Sequence, residues 1–372
     1  MATGLFIAAT GQHSGKTTAS LGLISAFARR GLKVGYMKPV GQRTVEVDGV
    51  VVDEDVSLIE ATYGAGAGAA AAGPVTVPPG FTAEFLDGGD STALAQKIRD
   101  GYGEVSRGQD IVVIEGTGHA GVGAVIELSN ASVARLLDAR TIIIVGGGIG
   151  KPIDEFALNV ALFDRADVLV LGAIANKVLP DKLDKVRMYV EKGLARTGHR
   201  LFGAVPLRES LSEITVAQLV DEIKAKVISG EAHLGVHIRR YVVGAASAHR
   251  MMEHFGKGVL AIVPGDRDDL VLAALSSAVV GQRSRFSVSA LCLTGGVLPH
   301  ENIMRIIGRA DAPVIAMDDG TFTAASRIDD VVAKIQPGET QKIRLANVLV
   351  EKYVDVDGLL EGMDVSAPSA GC

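Results

Sequence analysis

The sequence is poor in cysteine and in aromatic residues: its 372 residues include two cysteines, no tryptophan and only 4% Phe, Trp and Tyr. Cys292 and Cys372 are too few for a disulfide framework, and no Cys/His set has the spacing of zinc ligands. No apolar run approaches the ~20 residues that span a bilayer, and the N-terminus lacks the charged-then-apolar layout of a signal peptide. We therefore expect a cytoplasmic protein with no membrane partner.

A strong excess of one charge is also missing. The chain has 37 Lys and Arg against 43 Asp and Glu, a formal net charge of −6, and no basic cluster interleaved with aromatics. These features argue against a nucleic-acid partner. Glycine, in contrast, is abundant (45 residues), and 48% of the chain is hydrophobic, which is typical of a globular protein rich in α/β loops. The length predicts two or three domains.

Residues 10–18 (TGQHSGKTT) are the most informative stretch. They follow an apolar strand at 5–9 and open an amphipathic helix, which is the arrangement of a phosphate-binding loop. In such a loop Lys16 reaches the β- and γ-phosphates and Thr17 ligates Mg²⁺. Thr10 stands where the general pattern has glycine. The loop predicts an ATP and Mg²⁺ site with these nucleotide-binding candidates: Gly11, Gln12, His13, Ser14, Gly15, Lys16, Thr17 and Thr18.

Two further strand ends carry charged residues. A short strand at 32–37 ends at Lys38, and the buried strand 111–114 ends at Glu115, before a Gly-rich turn. Ligands of open α/β sheets bind at the carboxyl ends of the strands, so both side chains are expected near the loop. Glu115 has the position of a carboxylate that holds Mg²⁺ or orders an attacking group. Lys38 is expected to meet a phosphate or a carboxylate.

Other polar residues leave two interpretations open. The acids at 53–55 either supply a Mg²⁺ ligand or begin a helix, where acidic residues are favoured. His119 either touches a substrate or bonds to nearby backbone, and the second interpretation is favoured. Asn176 and Lys177, at the end of a later strand, are candidates for the edge of a nucleotide base.

Residues 1 to about 220 resemble the dethiobiotin synthetase-like branch of P-loop proteins, which includes cobyrinic acid a,c-diamide synthase. The motifs that carry the resemblance are TGQHSGKTT, GYMKPVG, DEDVSLIE, the stretch 111–137, ANKV and GAVP. Their arrangement is most similar to the N-terminal region of long bacterial phosphotransacetylases. The resemblance implies phosphate contacts for Lys16 and Lys38, metal contacts for Thr17, Asp55 and Glu115, and a base-proximal Asn176. Its candidate catalytic residues are Lys16, Lys38 and Glu115.

The second half repeats the alternation of strands and helices. Strands are expected at 259–263, 290–293 and 314–317, each followed by a polar or Gly-rich turn. The strings IVPGDRDDLVLAAL and LCLTGG resemble the DRTGG domain found in long phosphotransacetylases, although Asp266-Arg267 is followed by two aspartates. Asp266 and Arg267 either bind a small anion or only pin their loop. Cys292 lies inside an apolar strand, which argues against a nucleophile.

The expected fold class is α/β, a mostly parallel, doubly wound P-loop NTPase-type sheet followed by a second, smaller α/β domain of DRTGG type. The expected boundaries are a nucleotide-binding domain at 1–215, a helical connector at 216–230, a regulatory domain at 231–340, and C-terminal helices with a tail at 341–372.

Two functional hypotheses follow. The first is a regulatory or sensor ATPase whose second domain binds an unidentified small molecule or mediates self-association. The second is an ATP-dependent ligase that phosphorylates a small carboxylate or carbamate, as the resemblance to dethiobiotin synthetase implies. Phosphate acetyltransferase activity is not expected, since the sequence holds no recognisable catalytic domain for it. A homodimer or higher homo-oligomer is expected from the resemblance.

Overall fold

A computed structural model describes residues 2–47, 49–64, 68–279, 288–331 and 333–366. The chain divides into two compact units. The first unit combines Met1–Arg208 with Ile335–Cys372, and the second unit is Glu209–Lys334. The second unit is therefore an insertion in the sequence of the first.

The first unit begins with alternating strands and helices. Its strands up to residue 208 are β1 (Thr3–Ala9), β2 (Val34–Met37), β3 (Val40–Gly41), β4 (Thr44–Val47), β5 (Val50–Asp53), β6 (Val75–Thr76), β7 (Ile111–Glu115), β8 (Arg140–Val145), β9 (Val170–Val178) and β10 (Arg200–Pro206). Its helices in that range are α1 (Lys16–Arg29), α2 (Glu54–Tyr63), α3 (Ala69–Ala72), α4 (Phe81–Leu86), α5 (Ser91–Val105), α6 (Asn130–Leu136), α7 (Gly150–Arg165) and α8 (Leu183–Ala195).

A six-stranded parallel sheet forms the centre of this unit, in the order β10-β9-β8-β1-β7-β2. Every residue of β7 is buried, and β1 is buried from Gly4 onward, as expected for strands covered on both faces. Because β1 lies between β7 and β8, the loop after β1 is flanked by the carboxyl ends of two neighbouring strands. The register pairs Ile7 with Glu115, which places that carboxylate beside the start of the loop. The predicted parallel α/β sheet is confirmed.

The second unit has its own sheet. Its strands are β11 (Ile214–Thr215), β12 (Lys226–Ser229), β13 (His237–Ile238), β14 (Arg240–Val243), β15 (Val259–Pro264), β16 (Ala290–Thr294) and β17 (Val314–Ala316), and its helices are α9 (Val216–Ile223), α10 (Ala248–Met252), α11 (Asp268–Val279), α12 (Glu301–Ile307) and α13 (Thr321–Asp329). Five strands pair in the order β12-β17-β16-β15-β14, in which β14 to β17 are parallel and the edge strand β12 is antiparallel.

Two apolar clusters cover the opposite faces of this second sheet. One cluster joins Val263 and Leu293 to residues of α10, α11 and α12, such as Leu270. The other joins Ile262 and Cys292 to residues of α9 and α13. Alternate residues of a strand point to opposite faces, so each buried strand feeds both clusters. The predicted second α/β unit is confirmed.

After the second unit the chain returns to the first one through α14 (Thr340–Tyr353) and α15 (Val356–Gly362). Helix α14 packs against α1, and Leu349 and Val350 lie beside Thr18 and Asn176. The backbone N–H of Asp355 donates to a carbonyl of β10 at 2.6 Å, and the Asp355 carboxylate pairs with Arg200. These helices are thus part of the first unit.

The expected domain boundaries differ from these units at two places. Residues 216–230, expected as a helical connector, form α9 and the edge strand β12, both inside the second unit. Residues 341–366, expected as separate C-terminal helices, pack on the first unit. The physical reason is that each segment has an apolar face, and burial of that face on a neighbouring sheet or helix stabilises it.

No helix in the described ranges combines the length and the apolar character that crossing a bilayer requires.

Candidate functional site at the carboxyl edge of the first sheet

The loop after β1 leaves the start of α1 open to an anion. Gly15 precedes the helix in a left-handed conformation (φ 93°), and no side chain caps the first turn. A Cβ on Gly15 would collide with the amide of Asn176, and a left-handed residue is strained unless it is glycine. The first N–H groups of a helix have no partner within the helix. The loop therefore presents backbone donors of the kind that bind phosphate.

Thr17 lies at the meeting point of two carboxylates. Its hydroxyl is 2.8 Å from Glu115 Oε1 and 3.2 Å from Asp55 Oδ1. Asp55 belongs to the first turn of α2, and Glu115 is the last residue of β7. The structure thus brings together the three predicted metal candidates from three separate segments.

Two further charged side chains, Asp53 and Lys38, lie next to these oxygens. Lys38 Nζ lies 3.1 Å from Asp53 Oδ1 and also forms an ion pair with Asp55. Burial lowers the pKa of Lys38, but the surrounding carboxylates, with Asp55 first, outweigh burial and hold that pKa above its ordinary value. The ammonium group is therefore charged and lies beside the acids, 7% exposed.

Glu115 is buried and held by two hydroxyl donors that the sequence interpretation missed. Ser20 Oγ donates to Glu115 Oε2 at 2.7 Å, and the Tyr36 hydroxyl donates to the same oxygen at 3.1 Å. Burial and the nearby Asp55 carboxylate raise the pKa of Glu115, while Lys38 opposes them. A pattern could have identified both donors. Ser20 follows Lys16 by one helical turn, and Tyr36 precedes Lys38 by two strand positions, so each shares a face with a predicted residue.

The turn after β7 also contacts the loop lysine. Lys16 Nζ lies 3.4 Å from the carbonyl of Gly118. Asn130 fixes this turn, since its amide nitrogen donates to the carbonyls of Thr117 and His119, each at 2.7 Å. The ring of His119 accepts the backbone N–H of Gly121 at 3.2 Å, which agrees with the favoured interpretation of this histidine.

Two residues of β9 hold the loop through its backbone carbonyls. Asn176 Nδ2 donates to the carbonyl of Ser14, and Lys177 Nζ donates to that of His13, both at 2.8 Å. Burial lowers the pKa of Lys177. Asn176 and Lys177 thus lie against the loop, at the predicted strand end.

The remaining loop residues make local contacts. Ser14 Oγ donates to the carbonyl of Gly11 at 3.0 Å, His13 adopts a left-handed conformation (φ 57°), and Gln12 is exposed. Thr10, the departure from the general loop pattern, donates its hydroxyl to Glu155 Oε2 at 3.1 Å. This threonine therefore ties the loop to α7.

The donor set at Thr17 suits Mg²⁺. A hydroxyl and two carboxylates are hard oxygen ligands, and Mg²⁺ in such sites takes one or two carboxylates with phosphate oxygens and water. Within the described ranges, no three His, Cys, Asp or Glu residues are grouped as a metal site. Phosphate oxygens and water would thus complete the shell, as they do in nucleotide sites.

In the second unit, the two strings that resemble the DRTGG domain, IVPGDRDDLVLAAL and LCLTGG, include the adjacent parallel strands β15 and β16. The turn at Gly265, before Asp266 and Arg267, follows β15, and its backbone N–H donates to the carbonyl of Thr294 at 3.0 Å. Arg267 pairs with the exposed Asp269 at 2.8 Å. This ion pair supports the interpretation in which the Asp–Arg segment pins its own loop.

Comparison with known proteins agrees with this architecture. Residues 3–215 match the family model described as an AAA domain, and residues 218–331 match the DRTGG domain model. The fold is that of a P-loop NTPase. Because the first match covers more than half of the chain, the protein belongs to this AAA domain family, and a DRTGG domain follows.

Two curated relatives are phosphate acetyltransferases. The protein of Nitratidesulfovibrio vulgaris is 25% identical over 365 residues, covering 95% of this chain and 51% of the relative. That of Pseudomonas aeruginosa is 27% identical over 374 residues, with coverage of 95% and 51%. The chain thus spans about half the length of these relatives. Among solved structures, the MinC:MinD cell division protein complex of Aquifex aeolicus is similar, with 14% identity, a TM-score of 0.36, and coverage of 56% of this chain and 84% of that one.

Proposed function

We propose that this chain binds Mg-ATP in its first unit and acts as a regulatory or sensor ATPase, while its second unit binds a small molecule or mediates self-association. The observation that carries the proposal is the convergence of Thr17, Asp55 and Glu115 beside an open helix N-terminus. These groups supply the donors and acceptors that a nucleotide triphosphate with Mg²⁺ requires. A ligand of the second unit can act only by differing in affinity for two states of the protein.

In this proposal Lys16 holds the β- and γ-phosphates, and Thr17, Asp55 and Glu115 hold the metal directly or through water. Glu115 also orders the attacking water, which its buried and hydrogen-bonded position favours. Asn176 and Lys177, which contact the loop from β9, lie at the edge of the nucleotide base.

Calorimetric titration of the protein with Mg-ATP tests the proposal. We expect one site in the first unit, and we expect Lys16→Ala to weaken binding by roughly thirtyfold or more, since a charge-assisted contact is worth ~2 kcal/mol. Lys33→Ala is the matched control: Lys33 is exposed and precedes β2 at the opposite edge of the sheet.

A wild-type protein without Mg-ATP affinity would refute the proposal, as would equal affinity in Lys16→Ala. In that case the loop would be a scaffold, and the substitution would change only stability. Light scattering with size exclusion, with and without Mg-ATP, tests the proposed homo-oligomer and its dependence on nucleotide.

A carboxylate ligase is the second candidate, and the position of Lys38 favours it. The buried ammonium lies beside the acids around Thr17, where it would meet a carboxylate that receives a phosphoryl group. This candidate predicts ADP release that depends on a small carboxylate or carbamate and disappears in Lys38→Ala. Only basal hydrolysis across a panel of such acids would count against it.

A further inference from the structure

A cleft of about 640 Å³ lies at the carboxyl edge of the second sheet, where β16 and β17 end. Three turns line it: the α9–β12 turn, the turn after β16 and the turn after β17. Its volume is in the range of pockets that hold small organic ligands. In open α/β sheets this edge is the place where ligands bind.

The walls of the cleft are fixed by contacts within the second unit. Arg327 forms an ion pair with Asp319 and donates to the carbonyl of Ile223 at 2.6 Å, which joins α13 to the end of α9. The N–H of Gly295 donates to the carbonyl of Asp319 at 2.8 Å. Gly295 and Gly296 have φ values of 87° and 67°, so this turn favours glycine at both positions. These contacts therefore fix the positions of the turns that line the cleft.

The lining of the cleft carries a net positive charge of +1, from Lys224, Lys226 and Arg327 against Asp318 and Asp319. Lys224 and Lys226 line it, and in the part of the chain that the structure describes neither has a carboxylate within ion-pair distance. Arg327 is already neutralised by Asp319. Lys224 also ends α9 in a left-handed conformation (φ 55°), a position where glycine is the usual residue. The two lysine ammonium groups can both contact one anionic group, and a phosphomonoester carries −1.5 to −2 at pH 7.

The rest of the lining suits an organic body. Val297 and Leu298 are each 49% exposed and offer an apolar surface next to the Gly295–Gly296 turn. Asp318 lies beside Gly296 and can accept hydrogen bonds from ligand hydroxyl or amino groups. A bare inorganic ion would leave both features unused.

We propose that this cleft binds a small phosphomonoester, with its phosphate on Lys224 and Lys226 and its organic part between Val297, Leu298 and Asp318. The inference rests on the proposed sensor role in one respect, since it names the class of small molecule that the second unit takes. It does not depend on ATP binding in the first unit.

Calorimetric titration of the full chain with adenosine 5′-monophosphate and with glucose 6-phosphate tests the site. At least one of them is expected to bind once per chain, more tightly than inorganic phosphate. Lys224→Gly and Lys226→Gln should each weaken that binding at least tenfold. Lys224→Gly removes the side chain without disturbing the left-handed backbone, so a loss of binding reports the lysine and not the fold.

Lys257→Gln is the matched control, because Lys257 is exposed and precedes β15 at the opposite edge of the same sheet. This variant and Lys16→Ala should bind the phosphomonoester as the wild type does. If neither probe binds at millimolar concentration, or if the lysine variants of the cleft bind unchanged, the site is refuted. Loss of binding in Lys16→Ala would instead place the probe in the first unit and overturn the inference, whatever the fate of ATP binding.

Discussion

The carboxylate of Asp53 accepts the backbone N–H of Asp55 at 2.9 Å and thereby caps helix α2. Because Asp53 caps the helix, Asp55 lies in the first turn of α2, where its carboxylate accepts a hydrogen bond from the hydroxyl of Thr17. The two acids are separated by a single residue yet have different partners. Asp53 contacts backbone N–H groups and Lys38, and Asp55 contacts Lys38 and the loop.

This division predicts different phenotypes for the two acids. Asp53→Ala removes a helix cap and one partner of a buried ammonium, so we expect a loss of ~2 kcal/mol in the free energy of unfolding. Asp55→Asn keeps the shape but removes a charge beside Thr17, so the affinity for Mg²⁺ in the presence of ATP should fall at least about tenfold. Urea titration measures the first change, and Mg²⁺ titration of nucleotide binding measures the second.

Asp53→Asn is the control, since an asparagine still caps the helix and should recover ~1 kcal/mol of the loss. Stability losses of equal size in Asp53→Ala and Asp53→Asn would show that the cap contributes nothing. An unchanged Mg²⁺ dependence in Asp55→Asn would remove Asp55 from the metal site.

The contact between α1 and α14 gives a second prediction. A Cβ on Gly22 would lie 2.5 Å from Val350 Cβ and 3.0 Å from the carbonyl of Ala346. Alanine is normally better than glycine within a helix, but here Gly22→Ala is expected to cost about 1–3 kcal/mol of unfolding free energy through the clash. Chemical denaturation followed by circular dichroism measures the change.

Gly103→Ala provides the comparison within the same unit. Gly103 lies in α5, and nothing is within 4 Å of the added methyl group, so this variant should gain about 0.5–1 kcal/mol. Combining Gly22→Ala with Val350→Ala should recover part of the loss, and a fully additive double variant would show that the two residues do not touch.

The site residues at strand ends were predictable because parallel strands bring their carboxyl ends to one edge. Lys38 and Glu115 were found in this way and Lys16 was found from the loop motif, and the structure brings all three to that edge. Which acid of the 53–55 segment approaches Thr17 depends on the helix cap by Asp53, a hydrogen bond that spacing alone does not reveal. Ser20 and Tyr36 were missed because the prediction considered mainly charged residues and the loop itself, although each hydroxyl residue shares a face with a predicted residue.

The unit boundaries were less predictable for a different reason. The apolar face of α14 indicates that the helix packs on something, but its periodicity carries no information about the partner. The end of α9 was also not predictable from the sequence, because the helix ends at Lys224 in a left-handed conformation and no glycine or proline marks that position. The strand that follows was therefore included in a predicted helix.

A third prediction concerns Cys292, which is fully buried in β16. Burial raises the pKa of this thiol to about 12 from 9.0, so the thiolate is scarce in the folded protein. In a Cys372→Ser background, Ellman's reagent should label Cys292 at least about a thousandfold more slowly than in urea, because reaction needs global opening.

The sign of the pH dependence follows from the same shift. The pKa in the folded state lies above the ordinary value, so the neutral thiol contributes stability below pH 9 and this contribution declines as the pH rises toward 12. Cys292→Ser, which retains a buried hydroxyl, should not show the alkaline part of the decline. Rapid labelling under native conditions would mean that β16 opens locally.

The last prediction concerns the backbone at Lys224. A left-handed lysine is strained by about 1 kcal/mol, and glycine at this position of a helix end is free of that strain. Lys224→Gly should therefore raise the free energy of unfolding by up to about 1 kcal/mol. Lys226 lies in strand β12, where glycine lowers the free energy of unfolding by about 0.5–1 kcal/mol. Lys226→Gly should therefore change stability in the opposite direction. If Lys224→Gly is more stable than the wild type and no longer binds a phosphomonoester, the lysine serves the cleft at a cost in stability. If the variant is less stable, the lysine side chain supports the fold.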